Sequence, residues 1–305
     1  MRHLTTAFDV SGADLEHIFA VSEDLKAKFH KGLREPLLPG RVMALLFEKP
    51  SLRTRVSFEA GMIQLGGGTL FLGDDVGFGK RESVGDFCRV LSEFVDVIVA
   101  RTFSHETIEQ LAAHCTAAVV NGLSDLEHPC QAIADLFTMR ERFGRLEGLK
   151  LAWVGDGNNV ARSLAVACGK CGVAFAAACP EGYQLDEPFL AQLRSEVPGA
   201  DVRQTSDPAV AVAGADVVYT DVWASMGQES EKEKRARDFA GFEVDVEMMA
   251  RAATGAVFMH CLPAHRGEEV SAEVIDGPQS VVFQQAGNRM HAQKGILAWL
   301  LASQS

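Results

Sequence analysis

Apolar residues fall in short runs separated by longer stretches whose apolar positions recur at helical spacing. Arg41 to Glu48 (RVMALLFE), Gly68 to Leu72, Val95 to Ala100 and Ala117 to Val120 form a first group of runs. Leu149 to Gly155, Val173 to Cys179, Asp216 to Thr220 and Ala256 to His260 form a second. Near-continuous apolar runs of this length are how strands buried on both faces look, and their alternation with helices predicts parallel sheets closed by crossover helices. Two groups of four strands predict two sheets. Between them Pro129 to Phe143 (PCQAIADLFTMRERF) reads as a helix that Gly144 ends, and it is expected to carry the chain from one domain to the next. Gly287 to Ala302 reads as a closing helix that returns to the first domain. The fold class is therefore α/β, with two domains, each a parallel sheet flanked by helices, joined by interdomain helices. The expected boundaries are residues 1–135, with the terminal helix 287–305 packing back on them, and residues 148–280.

Length and composition agree with this division. At 305 residues the chain suits two domains of roughly 150 residues each. Its 47% hydrophobic and 23% charged residues are enough to build cores and keep a wetted surface. The net charge of −12 repels polyanions, which argues against nucleic acid and anionic membranes as partners. Neither an apolar leader in MRHLTTAFDVSGADLEHIF nor a membrane-length apolar run is visible, so the expected location is the cytoplasm. The seven cysteines (Cys88, Cys115, Cys130, Cys168, Cys171, Cys179 and Cys261) are odd in number and mostly set in apolar runs, the pattern of reduced, packed thiols. Cys168 and Cys171 lack a second pair, so no metal is expected.

Candidate chemistry begins where the first strand stops. Glu48-Lys49-Pro50-Ser51-Leu52-Arg53-Thr54-Arg55 breaks at Pro50 and opens a helix with Ser51 as its cap. A helix N-terminus offers unpaired N–H groups and a positive dipole end, and hydroxyls plus guanidinium added there make an anion site. On this segment alone a capped surface helix with two solvated arginines is an equal reading. Gly155-Asp156-Gly157-Asn158-Asn159-Val160 follows another strand as a Gly-rich turn, but Val160 stands where a dinucleotide fingerprint needs its third glycine.

Taken together, these segments resemble the aspartate and ornithine carbamoyltransferase family across essentially the whole chain. Ser51 to Arg55 is similar to its Ser-Thr-Arg-Thr-Arg phosphate motif, with Leu52 in place of a threonine but its backbone N–H retained. Arg101 in VARTFSHE and His128-Pro129-Cys130-Gln131, similar to the family's His-Pro-x-Gln, follow in order. The resemblance implies that Ser51, Leu52, Arg53, Thr54 and Arg101 bind the phosphate of carbamoyl phosphate. It also implies that Arg101 and His128 address the carbamoyl oxygen and that Gln131 holds its amide. Asn159 in the Gly-rich turn matches an asparagine that binds the acceptor amino acid. Asp221-Val222-Trp223-Ala224-Ser225-Met226-Gly227 resembles the Ser-Met-Gly loop of the ornithine branch, which makes Asp221, Ser225 and Met226 ornithine contacts, with Asp221 suited to the α-ammonium. His260-Cys261-Leu262-Pro263 is similar to a family His-Cys-Leu-Pro motif, implying a role for the Cys261 thiol beside the attacking amine and for the Leu262 carbonyl on the carbamoyl NH2. Arg289 matches an arginine that approaches carbamoyl phosphate. Gly77 departs from a glutamine that the family commonly contributes across a subunit boundary, leaving Lys80 or Arg81 to supply charge there.

The implied reaction transfers the carbamoyl group of carbamoyl phosphate to the side-chain amine of L-ornithine, giving L-citrulline and phosphate in arginine biosynthesis. The acceptor amine, with a pKa of about 10, must first lose a proton. The implied catalytic residues are Arg101, His128, Asp221 and Cys261, no cofactor is required because phosphate is already a good leaving group, and the resemblance implies a homotrimer. Rival readings are transfer to an N-acylated ornithine or another amine, an NAD-dependent oxidoreductase using the Gly155 turn, and a binding protein without catalysis.

Overall fold

A computed structural model describes residues 2–224 and 229–301. The chain divides into two compact units, one running to Phe137 and resuming at Gly287, the other Thr138–Ala286. In the first unit β1 (Val42–Phe47), β2 (Gly68–Leu72), β3 (Val97–Arg101) and β4 (Ala118–Leu123) form one parallel sheet in the order β2-β1-β3-β4. The helices of this part of the chain are α1 (Gly12–His30), α2 (Leu52–Gln64), α3 (Val84–Ser92), α4 (His105–His114) and α5 (Pro129–Phe143), the last carrying the chain into the second unit. Side chains alternate across each strand. Ala44, Leu46, Ile98, Ala100 and Val119 meet Cys88 of α3 and Ile108 and Leu111 of α4 on one face, while Met43, Leu45, Val97 and Val99 are fully buried on the other.

The second unit holds β5 (Lys150–Val154), α6 (Asn159–Lys170), β6 (Ala174–Ala178), α7 (Glu187–Glu196), β7 (Val202–Thr205), α8 (Pro208–Val212) and β8 (Val217–Thr220). These are followed by α9 (Lys232–Asp238), α10 (Val246–Met249), β9 (Val257–His260) and α11 (Ala272–Ile275). Helix α12 (Val282–Leu301) then returns the chain to the first unit. The second sheet is parallel in the order β7-β6-β5-β8-β9. The expectation of two α/β units built on parallel sheets holds, but the second sheet has five strands rather than four. The additional strand, β7, is spelled Val-Arg-Gln-Thr and lies at the sheet edge, where one side is left to solvent and no apolar run is required.

Both sheets reverse their winding once. From β1 the chain steps outward to β2 and then returns to the other side with β3; from β5 it steps outward through β6 and β7 and returns with β8. Crevices outside the carboxyl ends of two such diverging strands are where open parallel sheets bind ligands, because the following loops part there and leave helix N-termini facing the gap. In this chain those ends carry Glu48 to Thr54 and Arg101 in the first unit, and Gly155 to Asn159 and Asp221 in the second.

Candidate active site

In the first unit Ser51 caps α2, its hydroxyl accepting the Thr54 N–H at 3.3 Å. Leu52 turns its side chain into solvent at 76% exposure, so only its backbone is available to a ligand. Arg53 is half-buried. Thr54 is fully buried, and its hydroxyl accepts a 2.9 Å hydrogen bond from Arg289 Nη2, which ties α12 to the opening turn of α2. Gly122 makes room beneath this turn: a Cβ there would lie 3.1 Å from the Ala100 carbonyl and 3.5 Å from Thr54 Cγ2.

Arg101 is the last residue of β3 and is largely buried. His128 directly precedes α5, placed by a turn in which Asn121 Nδ2 donates to the Thr5 carbonyl at 2.9 Å and Ser124 N bonds the Glu127 carbonyl. Burial first, then the positive charges of Arg289 and Arg101, hold the His128 pKa well below the ordinary imidazole value. The ring is therefore neutral near pH 7, with one N–H donor and one acceptor nitrogen. Gln131 is fully buried one turn into α5, with Nε2 donating to Asp135 at 2.8 Å and Oε1 lacking a hydrogen-bond partner among the described residues. Sequence reasoning passed over Lys49. It is largely buried, its ammonium lies 4.7 Å from the Phe103 ring centroid, and its pKa is lowered by burial and then by the Arg101 charge. The signal was present as a lysine wedged between a strand end and a helix cap. Gly77 adopts φ +66° and a Cβ there would meet Arg81 Cδ at 2.7 Å, so the glycine accommodates the arginine stem; Lys80 and Arg81 are both exposed.

In the second unit Asp221 directly follows β8 and is largely buried. Its Oδ1 accepts the Val222 N–H at 2.8 Å and the Cys261 thiol at 3.0 Å, and its Oδ2 accepts Asn158 Nδ2 at 2.9 Å. The residue bound to Asp221 is thus Asn158, whose carbonyl oxygen also caps α6 through the Val160 and Ala161 N–H groups. Asn159 is the first residue of α6 and half-buried. Gly157 allows the turn to lie against its neighbour, since a Cβ would stand 2.7 Å from Leu185 N. Leu262 sits at φ +59°, a conformation that branched residues reach only at a cost and that aims its carbonyl differently from a continuing strand; its N–H donates to His260 Nδ1 at 2.9 Å. Ser225, Met226 and Gly227 lie outside the described residues.

Two groups among the described residues bring three possible metal ligands together: Asp221, His260 and Cys261, and His265, Glu268 and Glu269. In the first group, His260 spends Nδ1 on Leu262 N–H and Nε2 on Glu269 Oε1 at 3.2 Å, leaving only a carboxylate and a thiol to face a ligand.

A carbamoyl-P binding domain pattern of aspartate/ornithine carbamoyltransferases matches residues 2–141, and the Asp/Orn binding domain pattern of the same enzymes matches residues 147–300. The chain belongs to the aspartate/ornithine carbamoyltransferase family. A relative named ornithine carbamoyltransferase in Symbiobacterium thermophilum is 52% identical over 99% of this chain and 98% of its own length. One with the same name in Anoxybacillus flavithermus is 50% identical over 97% and 95%. The solved structure of an ornithine carbamoyltransferase from Pyrococcus furiosus superimposes with a TM-score of 0.95 at 45% identity, covering 100% of this chain and 98% of that one. The oxidoreductase reading of the Gly155 turn is set aside by this membership.

Proposed function

We propose that the chain transfers the carbamoyl group of carbamoyl phosphate to the side-chain amine of L-ornithine, releasing L-citrulline and phosphate. The observation that carries the acceptor assignment is the Asp221 carboxylate, oriented by Asn158 and by the Cys261 thiol at the end of β8. A buried, hydrogen-bonded carboxylate is the natural partner of an α-ammonium, and acylating that nitrogen would remove the charge it pairs with.

In this reading Ser51, the Leu52 N–H, Arg53, Thr54 and Arg101 hold the phosphate, with Arg289 braced on Thr54. Arg101 and the neutral His128 ring donate to the carbamoyl oxygen, where charge grows as the amine attacks. Gln131 Oε1 and the Leu262 carbonyl receive the carbamoyl NH2. Asn159, Ser225 and Met226 complete the ornithine contacts. The Cys261 thiol and Asp221 lie within hydrogen-bond distance and together form the polar end toward which the acceptor amine releases its proton, with the phosphate dianion as a further acceptor.

We place the reaction in arginine biosynthesis and propose the cytoplasm as its location. No helix among the described residues is long and apolar enough to cross a membrane. A homotrimer is proposed for the assembly. It is supported by the exposed apolar row Leu52, Val56 and Ile63 along α2 and by the edge strand β2, which exposes Leu70 and Phe71. Citrulline formation measured with ornithine, N-acetylornithine, putrescine and aspartate as acceptors tests the activity. Ornithine alone is expected to react, and product from N-acetylornithine would overturn the role of Asp221. Light scattering at a trimer mass tests the assembly.

A further inference from the structure

Helix α9 is spelled Lys-Glu-Lys-Arg-Ala-Arg-Asp, the composition of a solvated surface turn, yet Arg235 within it is only 6% exposed. A guanidinium withdrawn from water is unfavourable unless its N–H groups are matched by acceptors. Here they are matched by three. Nη1 donates to Asp156 Oδ2 at 2.6 Å and to the Trp223 carbonyl at 2.8 Å, and Nε donates to Glu231 Oε2 at 2.9 Å. The Tyr183 ring lies beneath the guanidinium, with its centroid 5.0 Å from Cζ.

The positions of these acceptors give the contact its meaning. Asp156 is two residues from Asn158, and Trp223 is two residues from Asp221, while Asn158 and Asp221 bond each other directly. The path from Arg235 through Asp156, Gly157, Asn158, Asp221, Val222 and Trp223 back to Arg235 is a closed ring of covalent and hydrogen bonds. Asp156 is further fixed by Trp153, whose Nε1 donates to its carbonyl at 2.9 Å. We propose that Arg235 is a positioning residue for the amino-acid acceptor, holding the Asp156 turn and the Trp223 backbone in one arrangement so that Asp221 and Asn158 present a fixed carboxylate to the α-ammonium. It touches no reacting atom. Opening the ring leaves Asp156 as a half-buried carboxylate without its cation and frees the two segments that flank the Asn158–Asp221 pair. The fork geometry matters: a lysine ammonium reaches Asp156 or the Trp223 carbonyl as a point charge but does not reproduce the planar set.

This inference rests on the proposed ornithine reaction, and the wild-type assay separates the two. If wild-type protein makes no citrulline from ornithine, the activity itself fails and the positioning role falls with it. With wild-type activity in hand, Arg235→Gln and Asp156→Asn are each expected to raise the KM for ornithine by about 10-fold or more, the scale of one lost charge-assisted hydrogen bond. Calorimetric binding of carbamoyl phosphate to the same proteins should stay within about 2-fold of wild type, since every contact in the ring belongs to the ornithine side. Arg235→Lys should recover part of the ornithine KM, and the Asp156→Asn/Arg235→Gln pair should be less harmful than the product of the single effects. Should Arg235→Gln not fold, Asp156→Asn and Arg235→Lys decide by the same criterion. A fall in kcat with both KM values unchanged would mean only lost active protein and would overturn the proposal, as would an Asp156→Asn variant that behaves as wild type.

Discussion

Replacing Asp221 by asparagine changes one atom and two interactions. The carboxylate accepts three donors, Val222 N–H and the Cys261 thiol on Oδ1 and Asn158 Nδ2 on Oδ2. An amide offers one acceptor oxygen and one NH2. With the amide oxygen at the Oδ1 position, the new NH2 faces the Asn158 NH2; in the flipped rotamer it faces Val222 N–H and the thiol. Either arrangement opposes donor to donor, at about 1–3 kcal/mol, and the negative charge that attracts an ammonium is gone. Losing a charge-assisted hydrogen bond of about 1.5–3 kcal/mol weakens ornithine binding by about 10- to 150-fold. Steady-state citrulline formation with ornithine varied, combined with calorimetry of carbamoyl phosphate on free enzyme, reads the two sides separately. The expected pattern is a large rise in the ornithine KM with carbamoyl phosphate affinity within about 2-fold of wild type. An unchanged ornithine KM, or carbamoyl phosphate affinity lost first, would refute the assignment of Asp221.

Further outcomes follow from the same contacts. Arg53→Ala is expected to lower carbamoyl phosphate affinity and turnover together by about 10-fold or more, through loss of a charged pair with phosphate; calorimetry and kcat measure both. His128 and His291 are both held deprotonated in the fold, His128 mainly by burial and His291 by burial and neighbouring cations to about 3. Because the unfolded chain takes up protons below about pH 6.5 that these rings refuse, stability falls as pH drops. Each ring adds a slope of up to about 1.4 kcal/mol per pH unit below about pH 6. His128→Gln should therefore flatten the decline of Tm between pH 7 and pH 5, and an unchanged slope would contradict its buried neutral state. Gly157→Ala should cost about 1–3 kcal/mol in denaturant unfolding, because the added methyl meets backbone atoms of Gln184 and Leu185 that have no side-chain freedom to yield.

The parts of the fold that could be read from the sequence are those fixed by local chemistry. Buried strands such as Met43 to Phe47 and Val97 to Ala100 announce themselves because both faces need apolar side chains. The start of α2 was legible because Ser51 follows Pro50 and precedes a helical run, and it does cap that helix. Strand β7 was missed since an edge strand with Arg203 and Gln204 carries no apolar signature. The polar contacts of the site were harder to read, because they depend on which residues the topology brings together. Two adjacent asparagines look alike in sequence, and only the capping geometry assigns Asn158 to Asp221. Arg235 and Lys49 look like ordinary solvated charges until the tertiary structure buries them. Thr54 and Arg289 are separated by most of the chain, and their hydrogen bond exists because α12 returns to the first unit.

The central claim is that a carbamoyl group leaves phosphate and arrives on the side-chain nitrogen of ornithine. Carbamoyl phosphate labelled at the carbonyl carbon, incubated with the purified protein and ornithine, should yield labelled citrulline with one phosphate released per citrulline formed. Phosphate release that proceeds without labelled citrulline would contradict it.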